Sequence, residues 1–211
     1  LTPEIIKAWK EGTGLDIYEF YGQSETVALL ANFRCKPIKY GSIGLPTPGH
    51  TIAVVDENGE EFPPCEEGYV ALKMKPERPP GLMMEYWRNP QAMAKAFRGN
   101  WYFTGDKAYR DEEGYFWFIG RDKEIIKTAG QSIAPLEIER ILLEYPAVVD
   151  AAVVGIPIEK QTEIIKAFVQ LKSTYSPSEK LSREILDDLG RHLESQKRPQ
   201  ELEFIKELPK T

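Results

Sequence analysis

A change of pattern near Arg121 constrains this chain more than any other feature. Upstream of it, apolar residues come in short runs broken by turn signals. Residues 51–55 read as a strand, Asp56-Glu57-Asn58-Gly59 as a hairpin turn, and residues 69–74 as the returning strand. Residues 101–103 and 115–119 read as strands around the turn Asp111-Glu112-Glu113-Gly114. Residues 16–21 carry the β-formers Ile17, Tyr18 and Phe20 and open into polar Gln23-Ser24-Glu25. Residues 3–10 predict a helix with Ile5, Ile6 and Trp9 on one face, stopped by Gly12 and Gly14. Asn89-Pro90 starts a short helix running through Phe97.

Downstream the periods lengthen. Residues 135–144 and 179–195 predict helices, the second with Leu181, Ile185 and Leu189 on one side. Residues 148–154, 164–171 and 202–205 predict strands. The expected fold class is therefore α/β and α+β: a β-rich region, then a small α+β module with its strands on one side of two helices. The boundary is placed at Asp122-Lys123, which separates residues 1–121 from 122–211.

Composition excludes several function classes. The 211 residues carry a net charge of -6, against the clustered positive charge that phosphate backbones demand. A nucleic-acid partner is not expected. Two histidines, His50 and His192, leave almost no material for a histidine zinc site or a Ser-His-Asp triad. Cys35 and Cys65 are expected to be reduced, buried or half-buried thiols. No apolar run reaches transmembrane length and no signal peptide is visible. Leu1 is not an initiator Met, so the natural N-terminus is expected to lie upstream.

Three short segments carry candidate chemistry. In Tyr21-Gly22-Gln23-Ser24-Glu25, Glu25 can offer a carboxylate to magnesium, a hard cation that prefers oxygen. Ser24 can offer a hydroxyl to a phosphate and Tyr21 a ring to a base. In Trp101-Tyr102-Phe103-Thr104-Gly105-Asp106, Asp106 can accept short, charge-assisted bonds from hydroxyls. In Gly120-Arg121-Asp122-Lys123, a strand ends in an arginine. Each segment also has a plain structural reading: a capped turn, an Asp beside a Gly, a solvated lysine.

Taken in order, the three resemble motifs of the AMP-forming acyl-CoA synthetases, the adenylate-forming ligases. The resemblance spans essentially all of the chain. Gly114 to Arg121, Tyr145-Pro146-Ala147-Val148 and Leu208-Pro209-Lys210-Thr211 are similar to the medium-chain members. It implies that residues 1–121 end a large nucleotide- and acyl-binding domain and that 122–211 form a mobile C-terminal lid. It implies ATP, magnesium and coenzyme A as cofactor and co-substrates, and a medium-chain or aromatic carboxylic acid as substrate. By residue, it implies Tyr21, Gly22, Gln23, Asp106 and Arg121 at the nucleotide, and Ser24 and Glu25 in catalysis with Glu25 on the metal. Lys123 is the implied hinge and Gly130, in the loop Lys127 to Pro135, lines the thiol tunnel. Gly22 takes the place of a tryptophan that walls off the pocket in acetate-specific members, which implies longer acids. Gly41 to Pro46 and Glu67 to Val70 are assigned structural roles, and Glu137 and Glu139 fit the family's start of a helix.

The sequence departs from the family at Ser132, where many members carry arginine. That keeps a carrier-protein phosphopantetheine open as the acceptor, beside a non-catalytic nucleotide-binding module. The family's phosphate-binding loop would lie upstream and its catalytic lysine beyond Pro209-Lys210-Thr211, and Lys210 is not that lysine. The 211 residues alone are expected to be inactive in adenylation. A cytoplasmic location and a possible homo-oligomer of the full-length enzyme complete the expectations.

Overall fold

The computed structural model describes residues 3–128, 130–159 and 162–209. Ala129, Lys210 and Thr211, each part of a motif above, lie outside the described residues, as does Leu1. The chain divides into two compact units, Leu1–Asp122 and Lys123–Thr211.

The first unit opens with α1 (Pro3–Thr13), β1 (Phe20–Gly22), β2 (Ala28–Ala31) and β3 (Leu45–Pro46). It continues with β4 (Ile52–Val55), β5 (Glu67–Lys73), α2 (Pro90–Ala96), β6 (Phe97–Arg98), β7 (Trp101–Arg110) and β8 (Phe116–Arg121). Strands β1, β2 and β3 form an antiparallel sheet, and β4-β5-β7-β6 form a second, with β8 added on β7. A bridge between Gly44 and Phe116 ties the two.

The central sheet is apolar on both faces, and the period of two explains how. Ile52, Val54, Val70, Leu72 and Tyr102 enter one cluster with Leu29, Leu30 and Phe116. The alternate residues Ala53, Val55, Ala71, Trp101 and Phe103 enter another on the opposite face. Over that second face the Arg98 guanidinium lies 3.5 Å from the Phe103 ring centroid, a cation–π cover.

The second unit begins in a single 3-10 turn at Asp122–Glu124, whose first residue belongs to the first unit. It holds the hairpin β9 (Ile126–Thr128) and β10 (Gln131–Ile133), then α3 (Pro135–Glu144), β11 (Val148–Glu159), β12 (Thr162–Leu171), α4 (Glu179–His192) and β13 (Glu201–Ile205). β12 pairs antiparallel with β11 and parallel with β13. Ile165, Ala167 and Val169 alternate into a core with Ile138, Leu142, Leu181, Ile185 and Leu189 from the helices. Pro135 occupies the first turn of α3, and Ser178 caps α4 by accepting from the Leu181 N–H at 3.2 Å.

Several expectations are corrected. Residues 15–19 form no strand: β1 starts only at Phe20, which pairs with Ala31, and the Asn32 N–H beyond that pair reaches no further back than the Glu19 carbonyl, at 2.9 Å. Among the described side chains of α1 only Ile6 is buried, and Ile5 and Trp9 are exposed. The helix after Asn89 stops at Ala96 because Phe97 joins β7 as a strand residue. The helix of residues 179–195 ends at His192. Both cysteines are exposed, since each sits on a loop rather than in a strand or helix.

Candidate active site

The Gln23 to Thr26 turn follows β1 directly. The Gln23 N–H donates to Thr26 Oγ1 at 3.0 Å, and the Thr26 N–H returns a bond to the Gln23 carbonyl at 3.0 Å. Thr26 is buried, so this closed loop of bonds fixes the turn, with Ser24 exposed and Glu25 half-buried on it.

Gly22 has a steric reason to be glycine. A Cβ there would lie 2.4 Å from the Val27 carbonyl oxygen, because the chain doubles back at a register shift between Tyr21 and Gly22. The missing side chain serves the backbone before it serves any pocket.

Asp106 sits on a strand rather than in a Gly turn. Phe103 pairs with Ala71 and Lys107 pairs with Tyr69, so Thr104, Gly105 and Asp106 together face Val70 alone. This bulge leaves β7 two residues longer than its partner, and an even excess returns Ala108 to the same apolar face as Tyr102. Gly105 takes φ of +82°, and Thr104 Oγ1 donates to the Val70 carbonyl at 2.9 Å. Bulges re-aim side chains, and here the carboxylate is turned toward β1.

Asp106 is 5% exposed. Its Oδ2 accepts from the Tyr21 hydroxyl at 2.5 Å and from Gln23 Nε2 at 3.0 Å. Gln23 Nε2 also donates to the Thr104 carbonyl at 2.9 Å, and Gln23 Oε1 accepts from the Tyr102 hydroxyl at 3.1 Å. Arg121 stands opposite Asp106 in the β7–β8 ladder, with Nε 3.9 Å from Oδ1. The Arg121 side chain is 70% exposed, so solvent screens that pair.

Burial pushes the Asp106 carboxyl up from its ordinary value, opposed by Tyr21, Arg121 and Gln23. Burial also raises the Tyr21 and Tyr102 phenols, which therefore stay protonated donors. The Tyr21 ring packs at 6.4 Å from Phe118, and its hydroxyl is committed to Asp106.

Glu25 Oε1 accepts from the Tyr86 hydroxyl at 2.9 Å. Among the described residues no three acidic, histidine or cysteine side chains gather into a metal cage. A lone half-buried carboxylate fits magnesium that arrives on phosphates, since that ion uses one or two carboxylates and fills its shell with phosphate and water.

The structure thus brings Tyr21, Gln23, Asp106 and Arg121 together, with Ser24 and Glu25 on the adjoining turn. Lys123 is exposed on the 3-10 turn between the units. Just before it, Asp122 accepts from Lys107 at 3.2 Å, and burial together with Asp122 pushes the Tyr69 phenol up to about 12. Gly130 is exposed in the β9–β10 turn, and nothing lies within 4 Å of where a Cβ would stand. Tyr86 and Tyr102 were missed by sequence reasoning. Tyr102 lies inside a motif, but its strand pattern marks it as core and not as a donor to Gln23.

Residues 1–87 match the family described as AMP-binding enzyme, and residues 137–211 match the AMP-binding enzyme C-terminal domain. The rat protein named acyl-coenzyme A synthetase ACSM3, mitochondrial, is 44% identical over all of this chain. The chain spans 37% of that relative's length. The crystal structure of the anthranilate CoA ligase AuaEII in complex with anthranoyl-AMP superimposes with a TM-score of 0.85 at 37% identity, covering 100% of this chain and 39% of that one. The Bacillus subtilis o-succinylbenzoate coenzyme A synthetase MenE, in complex with ATP and magnesium ion, gives 0.82 at 26% identity, covering 99% and 42%.

Proposed function

The chain belongs to the AMP-binding enzyme family, and from that premise we propose that it is part of an AMP-forming acid–thiol ligase. A carboxylate oxygen attacks the α-phosphorus of ATP and pyrophosphate leaves. The sulfur of coenzyme A then attacks the acyl carbon, and AMP leaves.

The observation that carries this reading is the buried Asp106 carboxylate, re-aimed by the bulge and flanked by Tyr21, Gln23 and Arg121. A buried carboxylate accepts hydroxyl hydrogen bonds strongly, and a ribose offers two hydroxyls side by side. Asp106 and Arg121 hold the ribose. Gln23, braced by Tyr102 and the Thr104 carbonyl, keeps the Asp106 carboxylate aimed. Tyr21 braces the same carboxylate from β1 and leaves its ring edge for the base. Ser24 offers its exposed hydroxyl to a phosphate, and Glu25 would hold magnesium, which when bound would supply neutralisation of phosphate charge. Neither chemical step needs a histidine base; both need positioning and charge neutralisation.

Lys123 serves as the pivot about which the second unit acts as a lid, because Asp122 is fastened to the sheet by Lys107 and the next residue is exposed. Gly130 gives the pantetheine arm a passage where no Cβ protrudes. The acid is medium-chain or aromatic; the name of the anthranilate CoA ligase supports the aromatic option by analogy. The cytoplasmic location is carried as a proposal, with the mitochondrial designation of the rat relative as its rival. Imaging of the tagged full-length protein decides between them. Chromatography of the same protein tests the homo-oligomer.

The deciding experiment supplies the full-length protein with ATP, coenzyme A and a panel of acids from acetate to long-chain and aromatic. AMP matched by acyl-CoA, strongest beyond acetate, is the expected result. Acyl-AMP without transfer to coenzyme A would move the acceptor to a carrier protein. The absence of acid-dependent AMP would overturn the ligase reading.

A further inference from the structure

Tyr86 lies 61 residues from Glu25 in sequence, on the segment between β5 and α2. It belongs to none of the motifs that point to the ligase. Its hydroxyl nevertheless donates to Glu25 Oε1 at 2.9 Å, and the Met83 N–H of the same segment donates to the Glu25 carbonyl at 2.7 Å. One segment therefore grips Glu25 at both main chain and side chain.

The segment is itself anchored. The Tyr86 carbonyl accepts from the Asn89 N–H at 3.2 Å, and Asn89 caps α2 through Oδ1 at 3.0 Å from the Ala92 N–H. The Tyr86 N–H approaches Met93 Sδ at 3.2 Å. Tyr86 also interacts with Tyr102, the residue that braces Gln23 against Asp106.

An unheld glutamate side chain samples many rotamers, and fixing it at the moment of binding costs side-chain entropy. A hydrogen bond made beforehand removes part of that cost, as partners behind metal-binding groups commonly do. Resting on the role given to Glu25 above, we propose that Tyr86 is a positioning residue. Its hydroxyl holds the Glu25 carboxylate ready for the metal carried by ATP and leaves the second carboxylate oxygen to face that metal.

The test uses the full-length protein with ATP and no acid substrate, and Mn2+ as a paramagnetic probe whose free signal is titrated. Tyr86→Phe keeps the ring and removes only the hydroxyl. It is expected to weaken Mn2+ binding by about fivefold to tenfold, part of what one hydrogen bond to a charged group is worth, because the hydroxyl acts on the metal only by holding Glu25. Melting temperature and ATP binding in EDTA should not move. Glu25→Gln should weaken Mn2+ binding at least as much, and the double variant should lose little more than Glu25→Gln alone. If Glu25→Gln weakens the metal and Tyr86→Phe does not, the positioning role is overturned and the ligase reading stands. If Tyr86→Phe lowers melting temperature and metal-free ATP binding together with Mn2+ binding, Tyr86 is merely structural and the proposal fails. If Glu25→Gln itself leaves Mn2+ binding unchanged, the metal role of Glu25 falls and takes this proposal with it.

Discussion

The phenol of Tyr21 donates to Asp106 Oδ2 at 2.5 Å, so the motif after α1 and the motif on β7 meet in one hydrogen bond. Neither residue is isolated. Gln23, two residues after Tyr21, reaches the same oxygen at 3.0 Å, and Tyr102, four residues before Asp106, holds Gln23. The two strands thus interlock through side chains at the point where ribose is proposed to bind.

Under the ligase reading, Asp106→Asn should weaken AMP binding to the full-length protein by about 1.5–3 kcal/mol, the range for hydrogen bonds to a charged acceptor. Isothermal titration checks this. Unchanged affinity would remove Asp106 from the nucleotide site.

The same substitution tests the electrostatics of folding. The folded-state carboxyl is raised above 3.8, so the folded protein holds that proton more tightly than the unfolded chain does. The contribution of Asp106 to stability is most favourable below the unfolded value, and it declines as pH rises through the raised one. Asp106→Asn abolishes that decline. Urea midpoints over a pH series from 3.8 upward should show the variant gaining on the parent, and parallel curves would contradict the burial cause.

Gly22→Ala should cost about 1–3 kcal/mol of folding stability through overpacking, because the new Cβ meets the Val27 carbonyl oxygen at 2.4 Å. Denaturant unfolding measures it. A neutral outcome would mean that the turn relaxes freely, and the glycine would then be explained by the acyl pocket alone.

All four tryptophans, Trp9, Trp87, Trp101 and Trp117, belong to the first unit. Leu142 is fully buried in the core of the second. Leu142→Ala should cost about 2–5 kcal/mol there. Far-UV circular dichroism is expected to lose part of its signal at lower urea while tryptophan fluorescence keeps its midpoint. Coincident shifts in both probes would show that the units unfold as one.

Much of the architecture was legible where a periodic pattern and a hydrogen-bonding partner coincide. Residues 51–55 read as a strand and Ile52–Val55 form β4, and Leu181, Ile185 and Leu189 recur at helical spacing and form the buried side of α4. Ile17 and Tyr18 carry β propensity too, yet they precede the paired residues of β1 and stay irregular. The motif residues around Asp106 were visible as residue types, but the strand bulge that holds Gly105 and Asp106 is defined only by the pairing of β5 with β7. Tyr86 was invisible for a different reason. A tyrosine in a loop carries no signal of what it will touch, and its partner Glu25 is far away in sequence. Glu139 was read as a favourable charge near a helix start, yet its carboxylate accepts from the Val153 N–H at 2.8 Å and so joins α3 to β11.

The 85-residue separation between Tyr21 and Asp106 has a kinetic consequence. Closing a flexible loop of that length costs on the order of 4 kcal/mol of chain entropy, more than a single hydrogen bond returns. The contact can therefore persist only after β2, β4, β5 and β7 have collapsed around it. A ligand that needs Tyr21, Gln23 and Asp106 together should report completed folding rather than early collapse. Added AMP is then expected to slow unfolding of the full-length protein and leave the refolding rate unchanged.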